Sequence, residues 1–180
     1  MKYKIGYISS FSDQQLIETY NELDLSQQEY ISRKNKKGAK ESLCARTLLI
    51  ELVNEQYKTD CKKNIRQGSD GHIFIEGMPD CYVSISHSKD MTAVCCSENR
   101  VGIDIEKIRE ISDKLKQRIC KKETANEEDF FRIWTLKEAY LKASQIGFAK
   151  MLEISEDEII SKSRIVSAKK DDNYFSVVEI

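Results

Sequence analysis

Residues 2–8 alternate Lys2, Lys4 and Gly6 against Tyr3, Ile5 and Tyr7, the period-two pattern of a strand with two unlike faces. Ser12 stands where it can cap a helix over 13–23, with Gln15 at the capping-box position. The spacing of Leu43, Arg46/Thr47, Ile50 and Val53/Asn54 predicts an amphipathic helix over 39–57. From 70 to 106 the pattern shortens into strands. These run His72–Glu76, Tyr82–Ser86 after a Gly77–Pro79 turn, Met91–Cys96, and Arg100–Glu106 after a Glu98–Asn99 turn.

Helical spacing returns over 110–120 and over 126–145. The remainder reads as a short strand near 151–154, a helix capped by Ser155, and a hairpin. That hairpin pairs 164–168 with 174–180 across a 169–173 turn. The order is therefore βααβββ followed by βααβ(α)ββ, with no sequence repeat and no Pro/Gly/Ser-rich linker. One compact unit or two tightly packed halves suits the 180 residues.

Composition narrows the class. Forty per cent apolar residues supply a core, and 33% charged residues mark a soluble globular chain. A net charge of -1 offers no bulk attraction to nucleic acid or to an anionic membrane, so neither is expected as a partner. The first residues lack an apolar signal core, which points to a cytoplasmic protein. The 6 cysteines lack C-x-x-C spacing, and only 2 histidines accompany them; zinc sites are not expected, and the thiols read as small buried hydrophobes. A basic run, Arg33, Lys34, Lys36, Lys37 and Lys40, precedes the 39–57 helix and taken alone reads as a solvated face.

Three stretches carry chemistry. In Val101-Gly102-Ile103-Asp104-Ile105-Glu106, strand alternation sends Val101, Ile103 and Ile105 into a core. Asp104 and Glu106 then share the other face, roughly 7 Å apart. Like charges so placed repel unless a cation intervenes, and a hard cation with oxygen ligands answers that need. In the helix around Phe131–Lys142, the residues Trp134, Glu138 and Lys142 fall on one line at i, i+4, i+8. Phe130, Ile133, Leu136, Tyr140 and Leu141 leave that helix little free surface, so the carboxylate and ammonium need partners. In Val83-Ser84-Ile85-Ser86-His87-Ser88, a histidine flanked by serines ends a strand and can donate to a phosphate oxygen.

In order and spacing, S-I-S-H-S, G-I-D-I-E and W-T-L-K-E-A-Y-L-K resemble the 4′-phosphopantetheinyl transferase superfamily, specifically its surfactin-synthetase-activating (Sfp) type, over about residues 30–150. The resemblance implies an α+β fold of two similar halves (1–98 and 99–180) related by pseudo-two-fold symmetry, each a small antiparallel sheet on a long helix. It implies transfer of phosphopantetheine from coenzyme A, the co-substrate, to a serine of an apo acyl, aryl or peptidyl carrier protein, with release of 3′,5′-ADP. Asp104, Glu106 and Glu138 would hold Mg²⁺. Lys142 and His87 would bind phosphate oxygens, and Ser86 and Ser88 beside them would add contacts. Arg46 would reach the 3′-phosphate, helped by Arg33, Lys36 and Lys37. Glu138 and Lys142 would act in catalysis, Glu138 taking the serine proton directly or through water.

Two departures from the family pattern stand out. Its Gly-Lys-Pro is Gly71-His72-Ile73 here, so His72 replaces a lysine in the coenzyme A site. Members of this type also generally exceed 200 residues, whereas the sequence stops at Ile180 in a strand, which leaves an unpaired edge expected, free in a monomer or covered in a dimer. A catalytically weakened coenzyme A-binding homologue and a Mg²⁺-dependent phosphohydrolase stay open as alternatives.

Overall fold

The computed structural model describes residues 1–68, 71–121 and 126–180. Alternating apolar residues build two antiparallel sheets. One has strand order β1-β5-β4-β3-β2, from β1 (Lys2–Tyr7), β2 (Ile65–Gln67), β3 (Ile73–Ile75), β4 (Tyr82–Ser88) and β5 (Met91–Ser97). The other has order β6-β8-β7, from β6 (Val101–Lys107), β7 (Arg164–Lys170) and β8 (Asn173–Glu179). Helices α1 (Asp13–Glu22), α2 (Leu25–Ser32) and α3 (Lys36–Tyr57) precede the middle strands of the first sheet; α4 (Asp113–Cys120), α5 (Glu127–Ser144) and α6 (Glu156–Lys162) lie between β6 and β7. The α+β class is thus the observed one.

Each long helix seals one sheet. α3 packs Leu48, Leu49, Leu52 and Val53 into a core with Val83, Val94 and Cys96. α5 packs Ile133, Leu136 and Tyr140 against Val178. Between the sheets lies a third apolar layer, in which Val101, Ile103 and Ile105 meet Met91, Ala93, Cys95, Phe175 and Val177. Strand alternation on β6 therefore acts as its sequence predicts: one face fills this layer and the other turns toward α5. At Gly102 the approach is so close that a Cβ would stand 2.0 Å from the Ala139 carbonyl oxygen and 2.7 Å from the Ala143 nitrogen.

Local signals hold where a cap fixes them. Ser12 accepts from the Gln15 backbone N–H at 3.1 Å, and Ser155 accepts from that of Glu158 at 3.1 Å. The Gln15 side chain, however, turns toward Glu51 rather than back to the cap. α3 starts three residues earlier than its apolar spacing predicts, because Asn35 caps it by accepting from Gly38 N–H at 2.8 Å. It is also buried nearly all round, enclosed by α1, α2 and the sheet, rather than amphipathic at a surface.

Helix α2 and strand β2 were not expected from the pattern. The run expected as a strand near 151–154 is instead a 3₁₀ helix, Phe148–Leu152, that buries Met151. A short apolar run bears no period to separate the two states. The last strand is not an edge: β8 sits between β6 and β7, and β7 is the outer strand. The cysteines are all buried and reduced. Among the described residues no helix is long and apolar enough to cross a membrane.

Candidate active site

The close approach at Gly102 brings the acidic strand face onto the Trp134–Lys142 line of α5. Lys142 Nζ lies 2.7 Å from Asp104 Oδ1 and 3.0 Å from the Ile103 carbonyl oxygen. Asp104 is only 2% exposed, and its other oxygen, Oδ2, is buried without a hydrogen-bond partner. Such an orphan is costly unless a donor or a cation reaches it, and the Glu138 carboxyl, within hydrogen-bonding reach of Asp104, is a donor when protonated. Glu138 lies beside them. Burial first, then the charge of Asp104, pushes its carboxyl up to about 7, against the counter-pull of Lys142. Asp104 and Glu138 therefore share one ammonium, a site short of positive charge.

Glu106 is held from two sides, by Ser88 Oγ at 3.0 Å and by Arg109 Nη1 at 2.9 Å. Arg109 also covers the Phe131 ring at 4.9 Å. Sequence reasoning did not single it out; its spacing of three from Glu106 was the available signal. Among the described residues, no three Asp, Glu, His or Cys side chains are gathered closely enough to hold a metal as they stand. The donor set nonetheless suits a hard cation: oxygen ligands, one of them orphaned, and a neighbour whose ionisation awaits positive charge.

Glu138 and Lys142 line a cleft of about 610 Å³ bounded by the Gly71–Ile75 and Met78–Ile85 segments and by the Gln145–Phe148 turn after α5. His72 stands in its wall, with its ring 5.6 Å from that of Phe74. Ile73, Ile75, Val83 and Leu141 make much of the lining apolar.

The serines on β4 lie elsewhere than expected. Ser84, Ser86 and Ser88 are buried along the seam between the sheets, accepting the backbone N–H of Ile103, Ile105 and Lys107 at 3.2, 3.4 and 3.1 Å. Ser86 Oγ donates to Asp104 Oδ1 at 2.7 Å. The intervening His87 points outward, its Nδ1 3.7 Å from Glu41 Oε2 on α3, and burial holds its pKa below the usual histidine value.

The structure does not bring Arg46 to an open surface. It is 1% exposed; its Nε and Nη2 both donate to Gln27 Oε1, at 2.9 and 2.6 Å, and Nη1 donates to the Ser42 carbonyl. A phosphate at this guanidinium has to displace Gln27. Arg33 is exposed and paired with Glu29, while Lys36 and Lys37 begin α3, where Lys37 Nζ lies 3.7 Å from Glu41 Oε1 one turn on. Cations at a helix N-terminus oppose its dipole, a cost that the Lys37–Glu41 pair offsets in part.

The fold and site define an α+β protein with a carboxylate–lysine centre beside a cleft. Residues 100–176 match the family described as the 4′-phosphopantetheinyl transferase superfamily. The chain is 33% identical over 129 residues to the 4′-phosphopantetheinyl transferase gsp of Aneurinibacillus migulanus, covering 65% of this chain and 53% of that protein. It is 28% identical over 131 residues to the 4′-phosphopantetheinyl transferase Sfp of Bacillus subtilis (strain 168), covering 66% and 58%. To the 4′-phosphopantetheinyl transferase HetI of Nostoc it is 36% identical over 84 residues. Motifs and matches agree: the chain is similar to the 4′-phosphopantetheinyl transferase superfamily, of the Sfp type. The matched stretches span little more than half the length of gsp and Sfp, and 35% of HetI.

Proposed function

We propose that the chain transfers the 4′-phosphopantetheine group of coenzyme A to a serine of an apo carrier protein, with Mg²⁺, releasing 3′,5′-ADP. The observation that carries this is the meeting of Asp104 and Lys142 beside Glu138, with Asp104 Oδ2 unpartnered and the cleft adjoining. Asp104, Glu106 and Glu138 would hold the metal, which when bound neutralises charge on the pyrophosphate. Lys142 would stabilise the charge that develops on the leaving oxygen. In the step itself the serine oxygen bonds to the β-phosphorus, and the bond from that phosphorus to the oxygen of 3′,5′-ADP breaks. The serine proton passes to Glu138, directly or through water; a carboxyl near pKa 7 is well matched to that task when not fully engaged as a ligand.

His72 and the apolar wall would hold coenzyme A in the cleft, and His87, with Arg33, Lys36 and Lys37 near the start of α3, would meet its phosphates. The halves 1–98 and 99–180, each a sheet with one long helix, would be related by a pseudo-two-fold axis. A cytoplasmic monomer accords with this reading.

The test is incubation with Mg²⁺, coenzyme A and several apo-carrier proteins, read as the phosphopantetheine mass increase. Glu138→Gln or Asp104→Ala is expected to abolish that increase while leaving the chain folded; retained transfer in both defeats the assignment. A second reading, a coenzyme A-binding homologue with weakened transfer, is favoured by His72 in the cleft wall and by the sealed Arg46. It predicts coenzyme A binding without a mass increase on any carrier.

A further inference from the structure

We infer that Ser86 and Ser88 are positioning residues that decide which oxygen of each strand carboxylate is offered to a cation; the inference rests on the metal role proposed for Asp104 and Glu106. β4 and β6 belong to different sheets and meet through hydroxyls instead of a backbone ladder. The constant separation of 19 residues between each serine and the N–H it accepts shows that the two strands run parallel here. A serine hydroxyl has a single proton to donate. At Ser86 that proton goes to Asp104 Oδ1 at 2.7 Å, and at Ser88 to Glu106 Oε2 at 3.0 Å.

Each anchored oxygen receives one further donor from a cation. Lys142 Nζ reaches Asp104 Oδ1 at 2.7 Å, and Arg109 Nη1 reaches Glu106 Oε2 at 2.9 Å. One oxygen of each carboxylate is thereby occupied. Asp104 Oδ2 stays buried and unpartnered, and it is the oxygen held ready. With their protons so committed, the two hydroxyls do not donate to a phosphate. Outer hydrogen bonds of this kind orient ligands and typically change metal affinity by about 10–100-fold when removed. Ser84 supplies an internal reference: it accepts the Ile103 N–H in the same way, but the residue its neighbours' pattern pairs it with is Gly102, which has no carboxylate.

Binding of Mn²⁺, as the probe, is measured by calorimetry for the chain and for Ser84→Ala, Ser86→Ala, Ser88→Ala and Ser86→Thr. The expected result is about a tenfold or larger loss in Ser86→Ala and Ser88→Ala. Ser84→Ala should keep the affinity despite losing similar stability, and Ser86→Thr, which keeps the hydroxyl, should restore it. Equal losses in Ser84→Ala and Ser86→Ala would make the effect one of seam packing and overturn the inference. So would a Ser86→Ala chain with unchanged Mn²⁺ affinity and weakened metal-free coenzyme A binding, since the hydroxyl would then touch phosphate. If the unaltered chain binds no Mn²⁺, the metal role itself fails. Metal-free crystal structures then decide the positioning: Asp104 turned away in Ser86→Ala but not in Ser84→Ala upholds it, and an unmoved Asp104 overturns it.

Discussion

Helices α3 and α5 each carry a cation that the motifs assign to phosphate, and they hold it in opposite ways. Lys142 on α5 lines the cleft and pairs with a carboxylate whose second oxygen is free. Arg46 on α3 is sealed under α2, paired with the neutral Gln27 and stacked near the Tyr30 ring, and burial lowers its pKa to about 10. The difference lies in what surrounds the charge, not in the residue type. A cation beside a carboxylate near a cleft can change partners at little cost; one enclosed with a neutral amide has no anion and cannot leave without exposing a buried acceptor.

The comparison breaks most severely at Gly102. Replacing it with alanine puts a Cβ against the α5 backbone, so α5 must move off β6 or the chain must unfold. We expect a loss of about 3 kcal/mol or more in urea denaturation, with the Asp104–Lys142 pair parted in any chain that folds. Full stability in Gly102→Ala would show that the helix can shift freely.

The sealed side is probed next. Gln27→Leu takes the acceptor from Nε and Nη2 of a buried guanidinium, leaving it the Ser42 carbonyl alone, and should cost about 3 kcal/mol. The double variant with Arg46→Met should recover most of that loss, because both polar partners are then gone. If Arg46 does reach the 3′-phosphate after Gln27 moves, Arg46→Met must weaken coenzyme A binding far more than binding of dephospho-coenzyme A. Equal effects on the two ligands would confine Arg46 to the core.

The smallest expected effect is one of pH. Glu138 has its folded pKa raised from 4.5 to about 7, so across that window the folded metal-free chain holds a proton that the unfolded chain has released. Stability therefore falls as pH rises from 4.5 toward 7 and levels off above it, by about 2 kcal/mol between pH 5.5 and 7.5. His87 acts oppositely, its lowered pKa favouring the folded chain as pH rises, so the slope is read as the difference from Glu138→Gln. No difference between the two chains would mean that Glu138 is not crowded in solution.

Much of the C-terminal half of the site was legible because its rules are local. Period two put Asp104 and Glu106 on one face of β6, and period 3.6 aligned Trp134, Glu138 and Lys142. The N-terminal half was less legible. Arg46 and Ser86 look like ligand-facing polar residues in a linear reading, yet one is enclosed by α2, an element the pattern did not announce, and the other is consumed at a sheet-to-sheet seam. Arg109 and Glu41 gained partners only when the chain folded.

What the sequence determined by itself was the α+β class, the caps at Ser12 and Ser155, the faces of β6, and the motifs that mark the superfamily. These depend on neighbours within a few residues or on side-chain alternation along one element. Tertiary structure alone decided that α5 lies on β6 closely enough for Lys142 to reach Asp104, that Asp104 Oδ2 is left without a partner, and that the serine hydroxyls close the seam. Such contacts join residues 18 to 38 positions apart, and no periodicity within one element encodes the distance between two.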